Sequence, residues 1–316
     1  MIRKKTGFIL GAGASAPYGY PTGDGLRQWL RKSLSSSIHN DFRLGHGRST
    51  TERDLIEESM THFVSEYSET DRELFIDLFI NRRKEFHEVG KWAIAASILY
   101  HEVHSTYGDE IDSPDKDWMS VLFTALTNEI YNDDFKRILE NDIFFVTFNY
   151  DRSLEYSLHR SMQRNFGASE EDAAEIVSKI PIVHVYGQIA ALPWQSKDGL
   201  EFQPDLEKVD PRKYSKDLQI MYGLRATKSG KEAKSMIQAA DSLCFMGFGY
   251  APENLEAIGI PEILKPSQII NGTAYQMSLL KTNQAARSIR GDKLSKRNVK
   301  IDSEMDSAAL VRYLWG

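Results

Sequence analysis

A glycine-rich segment near the N-terminus is the first place where this chain could bind a charged ligand. Gly11, Ala12, Gly13 and Ser15 follow directly on the apolar run 7–10, a pattern typical of a buried strand that ends in a tight turn. Glycines in such a turn let backbone N–H groups approach a pyrophosphate, and the Ser15 hydroxyl adds a donor. A tight strand-to-helix turn also favours glycine for structural reasons, so this motif alone leaves both interpretations open.

The dehydrogenase form of this glycine motif is disfavoured. In that form a helix begins at the glycines, and a second strand and an acidic residue complete a unit of about 30 residues. Here Pro17 and Pro21 delay the next helix, for which Thr22 is the predicted N-cap. The next strand-like run does not begin until residue 143.

Three further predicted strands end in residues that could contact the same ligand. These strands are 143–148, 182–186 and 242–246, and all are rich in apolar and β-branched residues. The residues at or after their ends are Asn149, Tyr150 and Asp151, then His184, Tyr186 and Gly187, and finally Gly247 and Phe248. Ligands of open parallel sheets bind outside the carboxyl ends of the strands, so we expect these residues to meet along one edge.

Helical patterns separate the predicted strands. Apolar residues recur at helical spacing through most of 52–139. Helices are also predicted at 152–163, 170–179 and 231–239. This alternation predicts an α/β fold with a Rossmann-like, doubly wound parallel sheet. We divide the chain into a Rossmann-like core, residues 1–45 and 140–316, and an α-helical insertion, residues 46–139.

Composition argues against several classes of protein. The 316 residues carry a formal net charge of −6, which makes direct nucleic-acid binding an unfavoured function. The one cysteine, Cys244, can form neither an internal disulfide nor a four-cysteine zinc site, and its apolar surroundings in the sequence predict a buried thiol. No apolar run approaches the roughly 20 residues that span a bilayer. We therefore expect a cytoplasmic protein that does not bind membranes.

Two other groups of residues have weaker claims to function. His101 and His104 are three residues apart on a predicted helix and could chelate a metal, but the sequence offers no third ligand, and we expect no metal site. The segment 281–300 carries seven Lys or Arg residues against one Asp. A solvated surface is the simpler interpretation of that segment, with partner binding as the alternative.

Four of these segments together resemble the sirtuin signature, in the same order along the chain. Residues 11–21 resemble its Gly-Ala-Gly-x-Ser turn followed by Gly-x-Pro, and residues 147–155 resemble its Thr-Gln-Asn-x-Asp-x-Leu-Glu segment. Residues 184–187 resemble the His-Gly segment, and residues 245–250 resemble the late strand end that contains glycine. The predicted helical insertion lies outside the four segments.

The chain also departs from the sirtuin deacylases. Those enzymes carry a zinc ribbon of four cysteines between the second and third segments, which this chain cannot supply. Their catalytic histidine directly precedes the glycine, where this chain has Tyr186, and His184 lies two residues earlier. Side chains i and i+2 share a face of a strand, so both side chains could face one cleft. The chain more closely resembles zinc-free, sirtuin-like NAD hydrolases of bacterial anti-phage systems, in which a helical module replaces the zinc module.

This resemblance implies that NAD is the substrate and that the nicotinamide–ribose bond is cleaved to nicotinamide and ADP-ribose. Asn149 would hold the ribose or orient the attacking water, and His184 would be the general base. The dinucleotide would contact Gly11, Ala12, Gly13, Ser15, Tyr150, Asp151, Tyr186, Gly187, Gly247 and Phe248. From the residues alone, Asn149 and Asp151 could instead cap the following helix.

Other functions remain open at this stage. A non-catalytic sensor of NAD or ADP-ribose, or an assembly subunit, is favoured by the tyrosine at 186. A protein deacylase is disfavoured by the missing zinc module. Because an unregulated hydrolase would deplete the NAD of its own cell, the resemblance implies a regulated effector of anti-phage defence. It would act as a homo-oligomer, or with an ATPase, a nuclease-like or an Argonaute-type partner, and the helical insertion would be the assembly surface.

Overall fold

The structure is a computed structural model that describes residues 1–33, 50–71, 74–107, 110–131, 134–220, 227–292 and 294–316. The predicted boundary between core and insertion at 45/46 lies outside the described residues, and the division of the chain into these two units stays a prediction. Among the described residues, no helix is both long enough and apolar enough to cross a bilayer.

Within the described ranges, one sheet of six parallel strands organises the fold. The strands are β1 (Thr6–Leu10), β2 (Ile143–Thr147), β3 (Ile182–His184), β4 (Ser242–Met246), β5 (Ile269–Thr273) and β6 (Val299–Asp302). Their order in the sheet is β3-β2-β1-β4-β5-β6. The chain winds from β1 towards one edge and from β4 towards the other, so its direction reverses between β1 and β4. This is the Rossmann strand order, and it confirms the predicted doubly wound α/β fold.

The register of the strands aligns their carboxyl ends. Leu10 of β1 lies opposite Thr147 of β2 and Met246 of β4, and Thr147 lies opposite His184 of β3. The chain segments that follow these four strands therefore leave the sheet side by side along one edge. This alignment is the expected one, because the predicted strands are parallel and end in small or polar residues.

Helices cover both faces of the sheet. Before β2 they are α1 (Ala12–Ser15), α2 (Gly23–Ser33), α3 (Thr50–Ser68), α4 (Ile76–Arg82), α5 (His87–Val103) and α6 (Trp118–Thr127). After β2 they are α7 (Ser153–Phe166), α8 (Glu170–Lys179), α9 (Pro211–Tyr214), α10 (Lys228–Ala239), α11 (Pro252–Ala257), α12 (Leu279–Arg290) and α13 (Ser307–Trp315). Short 3₁₀ turns connect several of them. In the described part of 50–140 no strand interrupts the helices, as the apolar spacing there predicted.

Alternate residues of the buried strands supply two separate cores. In β1, whose five residues are all buried, Phe8 and Leu10 join a core on one face and Ile9 joins the core on the other. The first core includes α7, α8, α13 and the helices between β1 and β2, and the second includes α10, α11 and α12. Strands buried on both faces read as continuous apolar runs, which is why such runs in the sequence identified β1, β2 and β4.

The segment after β1 differs in part from its prediction. A four-residue helix, α1, begins directly after Gly11, and the prolines act only later, where a 3₁₀ turn at Ala16–Tyr18 ends in Gly19. The longer helix α2 begins at Gly23. The Thr22 hydroxyl oxygen accepts a hydrogen bond from the Gly25 N–H at 3.4 Å, which confirms Thr22 as the N-cap.

The helices between β1 and β2 are joined to the glycine turn by buried hydrogen bonds. The indole Nε1 of Trp118, which is fully buried, donates to the Ala14 carbonyl at 2.6 Å. The Tyr18 hydroxyl donates to Asp117 at 2.8 Å, and Asp117 in turn caps α6 by accepting from the Ser120 N–H. The segment that the sequence identified as an insertion therefore shares a core with the turn after β1.

Candidate active site

The turns after β1 and β4 contact each other directly, where the winding of the sheet reverses. The Gly13 N–H donates to the Gly247 carbonyl at 3.0 Å, and the Gly11 N–H donates to the Met246 carbonyl at 3.1 Å. A Cβ on Gly247 would lie 1.9 Å from the Ala14 nitrogen, and a Cβ on Gly11 would lie 2.7 Å from the Gly247 oxygen. These glycines therefore meet a structural requirement, since any side chain would separate the two turns.

The same contact limits what the turn can offer a ligand. The N–H groups of Gly11 and Gly13, which were expected to approach a pyrophosphate, are both used inside the protein. The Ala14 N–H donates to the Gly11 carbonyl at 2.8 Å. Ala12 is exposed and Gly13 half-buried, whereas Ser15 is buried. The accessible part of the turn is thus centred on Ala12.

The Asn149 carboxamide connects the end of β2 to the turn after β1. Its Nδ2 donates to the Gly11 carbonyl at 3.1 Å and to the Ser15 hydroxyl at 2.9 Å. Its backbone N–H donates to the Thr147 hydroxyl at 3.1 Å. The side chain is buried, and its Nδ2 bonds lead to the turn and not to the start of α7. The geometry therefore favours a site residue over a helix cap at this position.

Asp151, unlike Asn149, contacts the start of the following helix. Its carboxylate accepts a hydrogen bond from the Ser153 N–H at 3.1 Å and another from the Ser153 hydroxyl, at the first turn of α7. Burial raises the pKa of the Asp151 carboxyl, while hydrogen bonds from Ser153 and Ser15 and the nearby His184 ring oppose that rise. The structural alternative that the sequence left open for Asp151, a contact with the start of the helix, is present.

Both ring nitrogens of His184 are engaged. Nδ1 lies 2.9 Å from the Asn149 carbonyl oxygen, and Nε2 lies 2.8 Å from Oε1 of Glu155 on α7. Burial lowers the pKa of His184, but the Glu155 carboxylate and the Asn149 carbonyl together outweigh burial, and the net pKa is raised. Asn149 and His184 are thus brought together, and the pair lies beside the Gly11 turn.

Glu155 was not assigned a role by the sequence. It lies within the segment 147–155, but its partner His184 is 29 residues further along the chain, on a different element. Gln188 also donates to Glu155 Oε1, at 3.0 Å. Glu155 lies on α7 and His184 at the end of β3, and the whole of α8 separates them in the chain. No local sequence pattern relates two such residues, so only the tertiary contact between α7 and the end of β3 identifies the pair.

The expectation that His184 and Tyr186 share one face of a strand is wrong. β3 ends at His184, and a turn follows in which the Gly187 N–H donates to the His184 carbonyl at 3.3 Å and Gly187 has φ +80°. The Tyr186 ring packs against Phe148 in the second core, 5.3 Å between centroids, and its hydroxyl donates to Asn254. The i, i+2 rule fails because the strand ends before residue 186.

The remaining aromatic candidates are packed into the protein to different degrees. Phe248 is only 3% exposed and contacts Phe148 edge-on, with ring centroids 5.0 Å apart. Tyr150 is half-buried, and its hydroxyl donates to Asp77 on α4 at 2.7 Å. Burial raises the pKa of the Asp77 carboxyl. Tyr150 therefore connects the strand-end edge to the helices between β1 and β2, whereas Phe248 belongs to the core.

The two histidines considered as metal ligands bond to their own helix. Nδ1 of His101 donates to the Ser97 carbonyl at 2.8 Å, and Nδ1 of His104 donates to the Tyr100 carbonyl at 2.7 Å. Within the described ranges, no group of three or more His, Cys, Asp or Glu side chains is arranged to hold a metal ion. A surface depression of ≈ 610 Å³ lies along α3 and includes none of the strand-end residues.

Comparison with known proteins gives weak similarities. No protein-family model matches the chain, and no curated protein matches it. A mutant Sir2 homologue in complex with ADP-ribose aligns at 12% identity over 98% of this chain and 90% of that chain, with a TM-score of 0.43. A Sir2 homologue in complex with NAD aligns at 11% identity over 98% of this chain and 88% of that chain, with a TM-score of 0.44. Such low scores assign no family, and the strand order itself defines the fold.

Proposed function

We propose that this chain hydrolyses NAD to nicotinamide and ADP-ribose at the carboxyl edge of its sheet. One observation carries the proposal. The Asn149 carboxamide bridges the glycine turn after β1, and its backbone carbonyl holds His184, beside the point where the strand order reverses. Open parallel sheets bind their ligands at that point. The four segments that resemble the sirtuin signature include the three elements joined there.

The proposed reaction makes modest demands on the protein. The bond between ribose C1′ and the nicotinamide nitrogen breaks with its electron pair on nitrogen, and nicotinamide leaves as a neutral ring. Water adds its oxygen to C1′ and gives up one proton to a base. The protein must hold the ribose and place the water, so positioning and electrostatics should dominate catalysis. We assign the holding of ribose and water to Asn149 and the acceptance of the proton to His184.

The conformation described here corresponds to a resting form in this proposal. The amide nitrogen of Asn149 and both ring nitrogens of His184 are already bonded inside the protein. A ligand must replace at least one of these bonds before the Asn149 amide nitrogen or the His184 ring can act on it. This requirement fits a regulated, NAD-depleting effector of bacterial anti-phage defence, whose activity would be released only on demand.

A second function is favoured by the same engagement of His184. A nucleotide could bind at the accessible rim around Ala12 while Asn149 and His184 keep their internal bonds. The chain would then be a non-catalytic sensor of NAD or ADP-ribose. Calorimetric titration with NAD, followed by chromatography of the same sample, separates the two functions. Binding without release of nicotinamide, in every assembly state, would select the sensor.

We also propose that assembly controls the site through the helices between β1 and β2. Two bonds provide a physical connection, because Trp118 donates to Ala14 in the glycine turn and Tyr150 at the strand ends donates to Asp77 on α4. A homo-oligomer, or a partner such as an ATPase, that displaces these helices would displace the turn. NAD enters this proposal as a substrate, and no step requires a metal.

Asn149→Ala and His184→Gln should each abolish most NAD turnover in the full-length protein. The loss expected for Asn149→Ala is about 10²–10³-fold, as for other groups that orient a reacting centre, and for His184→Gln about 10²–10⁴-fold, as for a general base. Nicotinamide release by purified protein, alone and with its activator, measures both effects. Circular dichroism verifies that each variant is folded. Turnover equal to wild type in both folded variants would contradict these roles.

Tyr186→Phe should keep most of the turnover that His184→Gln loses. The Tyr186 hydroxyl bonds to Asn254 on α11, whereas His184 bonds to Asn149 beside the glycine turn. Removing the hydroxyl therefore costs one hydrogen bond and leaves the proposed base in place. Initial rates of the two variants at equal NAD concentration make the comparison. A loss in Tyr186→Phe as large as that in His184→Gln would transfer the catalytic role to the tyrosine.

A further inference from the structure

Glu155 is a buried carboxylate with an uneven set of partners. It is 3% exposed and lies on the first turn of α7. Its Oε1 accepts from His184 Nε2 at 2.8 Å and from Gln188 Nε2 at 3.0 Å. Its Oε2 is buried and has no hydrogen-bond partner among the described residues. A buried, half-satisfied carboxylate is costly to keep, so its presence calls for an explanation beyond stability.

Hydrogen-bond chemistry fixes the protons of His184. A backbone carbonyl can only accept, so Nδ1 must carry a proton towards the Asn149 oxygen. One further proton then lies between Nε2 and Glu155 Oε1, on one or the other. The amide donor of Gln188 on the same oxygen favours the carboxylate, which leaves the second proton on the ring. The pair in this resting form is thus an imidazolium beside a carboxylate, and the ring must release its Nδ1 proton before it can accept one from water.

The two edges of the ring face different parts of the molecule. The Nε2 edge faces α7 and is held by Glu155, whereas the Nδ1 edge faces Asn149, whose side chain contacts the Gly11 turn. A ligand at the strand ends would therefore contact Nδ1 once the hydrogen bond between Nδ1 and the Asn149 carbonyl is broken. The backbone carbonyl is the weaker of the two partners, because the bond to Glu155 is charge-assisted.

The charged groups around His184 are few. Glu155 on α7 and Asp151 in the segment between β2 and α7 act on its ring, and both raise its pKa. Arg152, which follows Asp151 in the chain, is fully buried and paired with Glu102. Gln188, which follows β3, is uncharged. Glu155 is therefore the group whose removal should change His184 most.

We propose that Glu155 is the positioning residue of the site, which holds the His184 ring from the α7 side and leaves Nδ1 as the nitrogen that serves the ligand. The proposal rests on the proposed function for what Nδ1 does. The claim about the ring itself, that Glu155 fixes its orientation and charge, holds without it. Glu155 touches no ligand in this arrangement and acts through His184.

Nitrogen NMR of histidine-labelled full-length protein tests the ring directly. The His184 signals are assigned by their loss in His184→Gln. In wild type we expect both ring nitrogens to be protonated at neutral pH. In Glu155→Gln we expect the ring to titrate at lower pH, because the negative charge that stabilises the imidazolium is gone, while Glu155→Asp should restore the wild-type titration. Glu171→Gln, which removes an exposed carboxylate from the neighbouring helix α8, should leave it unchanged.

The pH dependence of kcat/KM is a second measurement. If His184 is the base, kcat/KM rises as the ring loses its proton, so Glu155→Gln should move the acid limb to lower pH. The rate at the plateau should fall roughly ten-fold, as when the orienting partner of a functional histidine is removed. KM should change little, because Glu155 does not contact the ligand.

The outcomes separate this inference from the function. A neutral His184 ring in wild type, or an unchanged titration in folded Glu155→Gln, overturns the role of Glu155. An acid limb that does not move overturns it as well. If wild type shows no NAD turnover in any assembly state, the proposed function fails, and the NMR titration still decides the claim about Glu155. Should Glu155→Gln not fold, the protonation of the wild-type ring decides it.

Discussion

Replacing Arg152 by methionine is expected to lower the free energy of unfolding by about 3–5 kcal/mol, as when one member of a buried ion pair is removed. Arg152 and Glu102 are both fully buried, and the guanidinium donates to the two carboxylate oxygens at 2.9 and 2.8 Å. It also donates to the carbonyls of Ala191, Leu200 and Glu201. Methionine would leave one buried charge and three carbonyls without their donor.

The stability that Arg152→Met loses should depend on pH. Burial raises the pKa of Glu102 even with Arg152 in place, and Arg152 opposes that rise. Without the guanidinium the folded-state pKa rises further above the unfolded value of about 4.3. The folded protein then keeps a proton that the unfolded chain has lost, so stability falls as pH increases through that window. Urea titrations at a series of pH values should show Arg152→Met approaching wild type only in acid.

Two further variants give this prediction its controls. Glu102→Leu combined with Arg152→Met removes both charges and should be more stable than Arg152→Met alone, because no buried ion remains. Arg137→Met breaks an exposed pair with Glu140 and should change stability little. A double variant no more stable than the single one would mean that the lost carbonyl contacts, which both variants share, and not the charge of Glu102, account for the effect.

Gly247→Ala is expected to destabilise the fold by about 3 kcal/mol or more and to weaken any binding of NAD. The residue has φ +57°, a backbone conformation that costs other residues about 1–2 kcal/mol. The added Cβ would also lie 1.9 Å from the Ala14 nitrogen, and forcing extra atoms into packed structure costs about 1–3 kcal/mol. The Ala14 nitrogen is a backbone atom close to the end of β1, and Gly247 directly follows β4. To relieve the clash, the ends of these two strands would have to separate.

Two other glycines of the chain separate the backbone cost from the steric cost of the added Cβ. Gly167→Ala carries a similar φ of +65° with nothing within 4 Å of the new Cβ, so it should cost only the backbone term. Gly249→Ala has neither a positive φ nor a close neighbour and should be nearly neutral. Thermal and urea unfolding of the three variants provide the comparison. Equal losses for Gly247→Ala and Gly167→Ala would show that the two turns can separate without cost.

Local signals predicted the elements of the fold well. The helix 170–179 and the strand 242–246 were predicted with the bounds that the structure has. The helix has a local start signal, because Ser169 is its N-cap and the Ser169 hydroxyl accepts a hydrogen bond from the Asp172 N–H. The strand β3, by contrast, was predicted to be two residues too long, because Val185 and Tyr186 are as compatible with a strand as with the turn that Gly187 closes.

From the residues alone it follows that four apolar strands end in small and polar residues, and parallel pairing then brings Gly11, Asn149, His184 and Gly247 to one edge. Which donors are already used at this edge depends on how the helices pack on the sheet. Gly13 gives its N–H to Gly247, and His184 gives both nitrogens to partners on other elements. Periodicity and turn chemistry act over a few residues, whereas these bonds join residues brought together only when the helices pack on the sheet.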